Sequence, residues 1–239
     1  MSSEAPIPAP ASALRLVCAP ALLTVSLHEP VIVACTLLNT GERPQRVDLG
    51  AGGVGELRVT IELPGGRRLH RLQLHSSGFA ADGEVALGPG ASTTQSLLLQ
   101  RWHAFAVAGR HAIQVELAVG PQHLAAEPVA LAVLAHDATR LAAVCAALLA
   151  QARQPGDPQR AAWAAAALAH VADPLATGPL AELVADGQKH VAQAVAGLGR
   201  SDDEQARDLL RRWARGRDRV LARLARRALR GAAADEIED

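Results

Sequence analysis

Gly50-Ala-Gly-Gly-Val-Gly55 is a literal G-x-G-x-x-G that follows a strand-like stretch. A pyrophosphate cradle needs a helix N-terminus behind such glycines, where unpaired amides converge. Here the glycines lead into Glu56-Leu-Arg-Val-Thr-Ile-Glu-Leu63, whose strict alternation is that of a strand, so a plain glycine-rich loop is expected. The chain has no G-x-S-x-G, no Walker A lysine motif, no H-E-x-x-H and no C-x-x-C, so the strong signals for hydrolase, phosphotransferase and zinc chemistry are missing. No cofactor, no metal site and no catalytic residue is expected. His70 and His75 flank one strand and, five residues apart, point to opposite faces. His103 and His111 are near enough in sequence to converge across a loop. Cys18, Cys35 and Cys145 are an odd count without paired spacing, which speaks against a disulfide framework and for buried thiols.

Arginine rises above this background. Between Arg200 and Arg230 stand eleven arginines against five acids, a local excess of +6. Arg207, Arg211 and Arg215 recur at helical spacing, and Arg219, Arg223, Arg226, Arg227 and Arg230 continue a similar stripe, each opposite a leucine face. Such a surface could hold phosphate or carboxylate. The plainer reading is a solvated face in a chain whose only lysine is Lys189, and the acidic tail Asp235-Glu-Ile-Glu-Asp239 could also fold back onto it. If the stripe is only solvated, recognition belongs on the inner helices around Gln188, Lys189 and Gln193, or on loops of the N-terminal half.

Something must position these residues. A chain of 239 residues is long for one average domain, so two cores are expected. The hydrophobic fraction is 49% but aromatics are 2%, with no Tyr, so Ala, Leu and Val must fill the interior and any base-stacking surface is poor. With Lys plus Arg at 24 and Asp plus Glu at 24, no net charge drives the whole chain onto nucleic acid or an anionic membrane. The start, Met-Ser-Ser-Glu-Ala-Pro, offers no positive n-region before an apolar run, and no stretch approaches about 18 unbroken apolar residues. A soluble, cytoplasmic protein without a membrane partner is expected.

From 13 to 134 the period is two. Leu57, Val59, Ile61 and Leu63 share one face of a strand, and further strand-like segments lie near 22–27, 31–38, 45–49, 68–75, 93–100, 110–118 and 128–134. Gly, Pro and Asn turns separate them, as expected for an antiparallel β-sandwich. From 137 the spacing becomes helical. Asp137, Asp157 and Asp173 are candidate caps, the last two followed by proline, and Ser201-Asp-Asp-Glu204 reads as a capping box. Six helices in three antiparallel pairs follow. Leu168 and Val195 are 27 apart, Leu180 and Leu209 are 29 apart, and Val191 and Val220 are 29 apart, a period that points to a helical solenoid.

Val31-Ile-Val-Ala-Cys-Thr-Leu-Leu-Asn-Thr-Gly-Glu-Arg-Pro-Gln-Arg-Val47, Val85-Ala-Leu-Gly-Pro-Gly-Ala-Ser92 and Phe105-Ala-Val-Ala-Gly-Arg-His-Ala-Ile-Gln-Val-Glu-Leu117 resemble the motifs of bacterial immunoglobulin-like domains. That resemblance covers about half of the chain and implies structure alone: Val31, Val33, Cys35 and Leu37 as core, and 39–44 as a turn. His111 stands where the family has Tyr and is expected as a half-buried packing residue. Ala167-Leu-Ala-His-Val-Ala-Asp-Pro-Leu-Ala176 with Pro179-Leu-Ala-Glu-Leu-Val-Ala-Asp186 resembles short HEAT-like repeats, which implies a binding surface for another protein.

The expected order is a disordered segment 1–12, an immunoglobulin-like β-sandwich 13–135, a HEAT-like α-solenoid 137–231 and an acidic tail 232–239. The expected role is a non-enzymatic adaptor or scaffold that recognises another protein through the repeats. Nucleic-acid or acidic-ligand binding through the arginine stripe is the alternative, with nucleic acid disfavoured. A protease-inhibiting loop at 76–84 comes third.

Overall fold

The computed structural model describes residues 13–49, 54–73, 83–120, 122–187 and 189–235. Strands fill the N-terminal half: β1 Leu14–Pro20, β2 Thr24–Ser26, β3 Ile32–Asn39, β4 Gln45–Asp48, β5 Val54–Glu62, β6 Arg68–Gln73, β7 Glu84–Leu87, β8 Ser92–Leu98, β9 Gly109–Val119, β10 Gln122–Ala125 and β11 Val129–Leu134. Six helices follow: α1 Ala138–Ala152, α2 Pro158–Ala169, α3 Thr177–Ala185, α4 Val191–Gly199, α5 Glu204–Ala214 and α6 Arg219–Asp235. The chain packs as two compact units, one of Met1–Leu23, Ile32–Leu97 and Arg110–Leu131, the other of Thr24–Val31, Leu98–Gly109 and Ala132–Asp239.

The first unit is antiparallel sheet. β1 pairs with β3 and β3 with β8; β5 pairs with β6 and β9, β9 with β10, and β4 with β7. Alternation does the sorting, because a strand's successive side chains face opposite ways. Val33, Cys35 and Leu37 of β3 are fully buried, as are Val59 and Ile61 of β5 and Ile113 and Val115 of β9. His111 shares the inward phase of β9, so it lies fully in the core at 1% exposure, deeper than the half-buried place expected for it. On the outer face, polar residues meet across strands: Arg68 Nε donates to Glu62 at 2.8 Å, Arg58 lies 3.6 Å from Glu116, and His70 Nδ1 meets the Thr60 hydroxyl at 3.0 Å. The β5–β6 hairpin turns through Gly65 and Gly66, at φ 97° and 85°, a left-handed conformation that glycine adopts without Cβ strain.

Asn39 is the hub of the turn that follows β3. It is fully buried; its amide nitrogen donates to the Arg43 and Leu87 carbonyls at 2.8 and 2.9 Å, and its oxygen accepts from Gly41 N at 2.9 Å. The stretch is thus used for structure, with every polar atom of this side chain engaged inside the fold.

In the second unit, aspartates start the helices. The Asp137, Asp157 and Asp173 carboxylates accept from Arg140 N, Arg160 N and Leu175 N respectively, in their own first turns, at 2.9 to 3.0 Å. After Asp173 a short 3-10 turn, Pro174–Ala176, precedes α3. The expected capping box shifts by two residues: Asp203 caps α5 by accepting from Gln205 N at 3.1 Å and from the Thr177 hydroxyl at 2.8 Å, while Ser201 accepts from Asp203 N. A carboxylate that reaches both an amide and a hydroxyl of another helix outcompetes a serine that reaches one amide. Asp218 caps α6.

Helices α1 and α2, α3 and α4, and α5 and α6 pack as pairs; α1 also meets α3, and α2, α4 and α6 lie side by side in that order. Leu141, Leu168, Leu180, Leu198 and Leu210 form the core with many alanines. Glycines permit the closest approach: a Cβ on Gly197 would stand 2.8 Å from the Ala169 Cα, and one on Gly199 would stand 2.8 Å from the Ala228 Cβ. Gly197→Ala should therefore destabilise the fold by about 1–3 kcal/mol through overpacking, although helix propensity alone favours alanine by about 1 kcal/mol. A raised urea midpoint for Gly197→Ala would contradict this packing.

Segments 24–31 and 98–109 pack with the helices. β2 runs parallel to residues 132–134 of β11. Ser26 Oγ accepts from Asp137 N at 2.9 Å, and Arg140 donates from Nε to Glu29 at 2.6 Å and from Nη2 to the Thr24 carbonyl at 2.9 Å. Glu29, 2% exposed, also accepts from Ser26 N at 2.7 Å. Gln100 closes the bracket, donating to the Glu29 carbonyl at 2.6 Å and accepting from Val31 N at 2.8 Å.

Candidate functional site

Helical spacing alone made Arg207 to Arg230 one stripe, and the fold divides it. Arg211 Nη1 lies 2.7 Å from Glu204 and 3.0 Å from Asp208, and Arg207 lies 3.6 Å from Asp202 and 3.8 Å from Glu204. These two charges of α5 are met by acids of the same segment. On α6, Arg226 Nε donates to the Ala222 carbonyl at 3.1 Å. Arg215, Arg219, Arg223, Arg227 and Arg230 are exposed, without an ion pair to another described side chain.

Arg227 has a second setting. It lines a groove of about 340 Å³ between α4 and α6, together with Val195, Ala196, Arg200 and Leu224. A second hollow, about 170 Å³, lies between α2 and α4 and is lined by Leu98, Arg101, Gln159, Trp163, Ala166 and Gln193. Both therefore border α4, and small side chains keep both open. Trp163 and Gln193 are half-buried, and Arg101, Arg200 and Arg227 are exposed.

The field along this face is positive. Arg200 Nη2 donates to the Ala169 carbonyl at 2.7 Å, at the end of α2. The neighbouring His170 is held down at about 4 by burial, then by the charges of Arg200 and Arg101, and is neutral at pH 7. An imidazole whose folded value falls below its ordinary 6.5 binds fewer protons than in the unfolded chain. Its contribution is complete above about pH 6.5 and is lost as pH falls towards 4. His170→Asn should flatten the slope of urea midpoint against pH across that window; an unchanged slope would assign the loss to other groups.

Of the other sequence candidates, Gly50 to Gly53 and His75 lie outside the described residues, as does most of the loop 76–84 and Gln188; strand β5, and no helix, follows the glycines. His103 stacks edge-on against Phe105, ring centroids 5.0 Å apart. Among the described residues no group of three His, Cys, Asp or Glu side chains is placed to hold a metal, and no helix is long and apolar enough to cross a membrane. Sequence reasoning pointed to Gln193 but missed Trp163, Gln159 and Arg101. The i, i+4 spacing of Gln159 and Trp163 on an otherwise alanine-rich helix was the available signal.

No protein-family model matches the chain, and no curated protein does. Among solved structures it is similar to an alkylpurine DNA glycosylase of Pseudomonas fluorescens bound to DNA containing an abasic site analog, with 15% identity, a TM-score of 0.33, and coverage of 52% of this chain and 31% of that one. The sporulation control protein of Bacillus subtilis matches at 13% identity and a TM-score of 0.34 over 59% of this chain and 55% of its own. A CARDB domain from Pyrococcus furiosus, in complex with di-metal ions, matches at 14% identity and a TM-score of 0.32, over 52% of this chain and 94% of its own. The chain spans less than two thirds of the first two. What the fold defines is a two-part chain, antiparallel sheet followed by six helices.

Proposed function

We propose that this protein is a non-enzymatic, cytoplasmic interaction module in which an immunoglobulin-like sandwich carries a short HEAT-like solenoid, and that the α2–α4–α6 face takes a segment of a partner protein. The order of helix contacts supports the solenoid, since each pair meets the next through like-numbered helices. The observation that carries the reading is the pair of grooves bordering α4, one with Trp163, Gln159 and Gln193, the other with Arg200 and Arg227. An apolar anchor with acidic neighbours matches them: the anchor fills the Trp163 hollow and carboxylates reach the guanidiniums.

Selection of a random peptide library on the full chain tests this. Sequences pairing aliphatic and acidic residues should be enriched, and their binding should change Trp163 emission and be lost in Trp163→Ala and Gln193→Ala. Enrichment insensitive to both substitutions would place recognition elsewhere. The exposed arginines of α6 favour a second reading, an acidic-ligand or nucleic-acid surface. Steeply salt-dependent binding of a DNA duplex, lost on Arg219→Glu with Arg223→Glu, would support it over the first.

A further inference from the structure

β1 and β3 run antiparallel with Cys18 directly opposite Cys35. The phase of the ladder is set by its ends, where Ala21 N donates to the Ile32 carbonyl and Thr40 N to the Ala13 carbonyl, both at 2.8 Å. Hydrogen-bonded pairs alternate along an antiparallel ladder, and Cys18 is an odd number of residues from Ala21. Cys18 and Cys35 are therefore a non-hydrogen-bonded pair, the kind whose Cα atoms approach to about 4.5 Å. That lies inside the window of about 4.4 to 6.8 Å that a disulfide spans without moving the backbone. Both side chains take the inward phase, Cys18 at 8% exposure and Cys35 at 0%, and their sulfurs face each other at 2.9 Å.

We propose that Cys18 and Cys35 are a covalent modification site, a dithiol that closes to a cross-strand disulfide when the chain meets a small-molecule disulfide such as oxidised glutathione. The reaction balances as two exchanges. One cysteine thiolate attacks a glutathione sulfur, forming a mixed disulfide and expelling one glutathione thiolate. The second cysteine then attacks the protein-side sulfur of that bond and expels the other. Two electrons pass from the pair to the oxidant, and the two thiol protons end on two glutathione molecules.

The surroundings decide the rate. The hydrogen bond from Cys18, then burial, push the Cys35 thiol up, so little thiolate exists in the closed fold. β1 offers the way in, because within its three-stranded sheet it is an edge strand paired with β3 alone. Opening it exposes both thiols without disturbing β3 and β8. Once formed, the link joins residues 17 positions apart. Constraining a loop of that length in the unfolded chain shifts the folding equilibrium by on the order of 100-fold. Cys145 provides the internal control: it belongs to the other compact unit, is buried in α1, and is pushed up to about 11 by burial and by the charge of Asp173.

The test uses the full chain, incubated at graded ratios of oxidised to reduced glutathione in sub-denaturing urea, quenched with iodoacetamide and mapped by mass spectrometry without reduction. The expected product has lost two hydrogens, contains a single peptide linking Cys18 to Cys35, leaves Cys145 alkylated, and unfolds at higher urea than the reduced chain. Cys18→Ser should abolish the link and the shift, and Cys145→Ala should keep both. The wild-type map stands even if Cys18→Ser folds poorly. Persistent free thiols at every ratio, arrest as glutathione adducts, a link through Cys145, or an oxidised chain less stable than the reduced one would each overturn the assignment.

Discussion

Replacing Arg140 by Met should lower the stability of the chain by about 3–5 kcal/mol, the cost of leaving a buried carboxylate without its cationic partner. Glu29 is 2% exposed and receives Arg140 Nε at 2.6 Å, so without the guanidinium its carboxylate keeps, among the described residues, only the Ser26 amide. The same substitution frees the Thr24 carbonyl, which accepts from Arg140 Nη2. The damage should reach the start of α1, because Asp137 N donates to Ser26 in the same bracket. Arg140 is itself partly solvated, so the expected cost comes from the orphaned carboxylate and hardly from the lost attraction. A double variant, Arg140→Met with Glu29→Gln, should recover much of the loss, since removing both charges removes the desolvation penalty. Chemical denaturation followed by helical circular dichroism measures all four corners of that cycle. A loss below about 1 kcal/mol for Arg140→Met would mean that Glu29 reaches solvent or another donor.

Reversing Arg101 and Arg227 to Glu together should weaken binding of an acidic, aliphatic-anchored peptide by at least about 100-fold, because a charge-assisted hydrogen bond contributes about 1.5–3 kcal/mol and reversal adds repulsion. Both residues are exposed, so the fold should change by less than about 0.5 kcal/mol for each. Arg211→Glu offers the contrast. Its guanidinium already meets Glu204 and Asp208, and it lines neither groove, so that variant should bind as the wild type does. Fluorescence anisotropy with a labelled peptide, at low and at physiological salt, reads both effects. Equal losses for the α5 and groove variants would show that only diffuse charge matters and would remove the α2–α4–α6 face as the site.

Local order was written in the sequence. The alternation of Leu57, Val59 and Ile61 gave β5, and Asp137, Asp157 and Asp173 marked helix starts, because both signals act over a few neighbouring residues. Two four-residue strands, β7 and β10, escaped that reading, whereas β2 and β4, no longer than they are, fell within the segments near 22–27 and 45–49. β1 was passed over although Leu14, Leu16 and Cys18 alternate inward.

What faces what belonged to the tertiary structure. Cys18 and Cys35 show no motif spacing, yet one antiparallel register sets their sulfurs together. The arginines from 207 to 230 share one helical period, yet Asp202, Glu204 and Asp208 occupy two of them while Arg227 turns to the α4 groove. Arg140 finds its carboxylate 111 residues away. Local patterning acts through dihedral preferences and nearest neighbours, whereas these pairings depend on which elements pack side by side, and that is decided by the burial of whole faces at once.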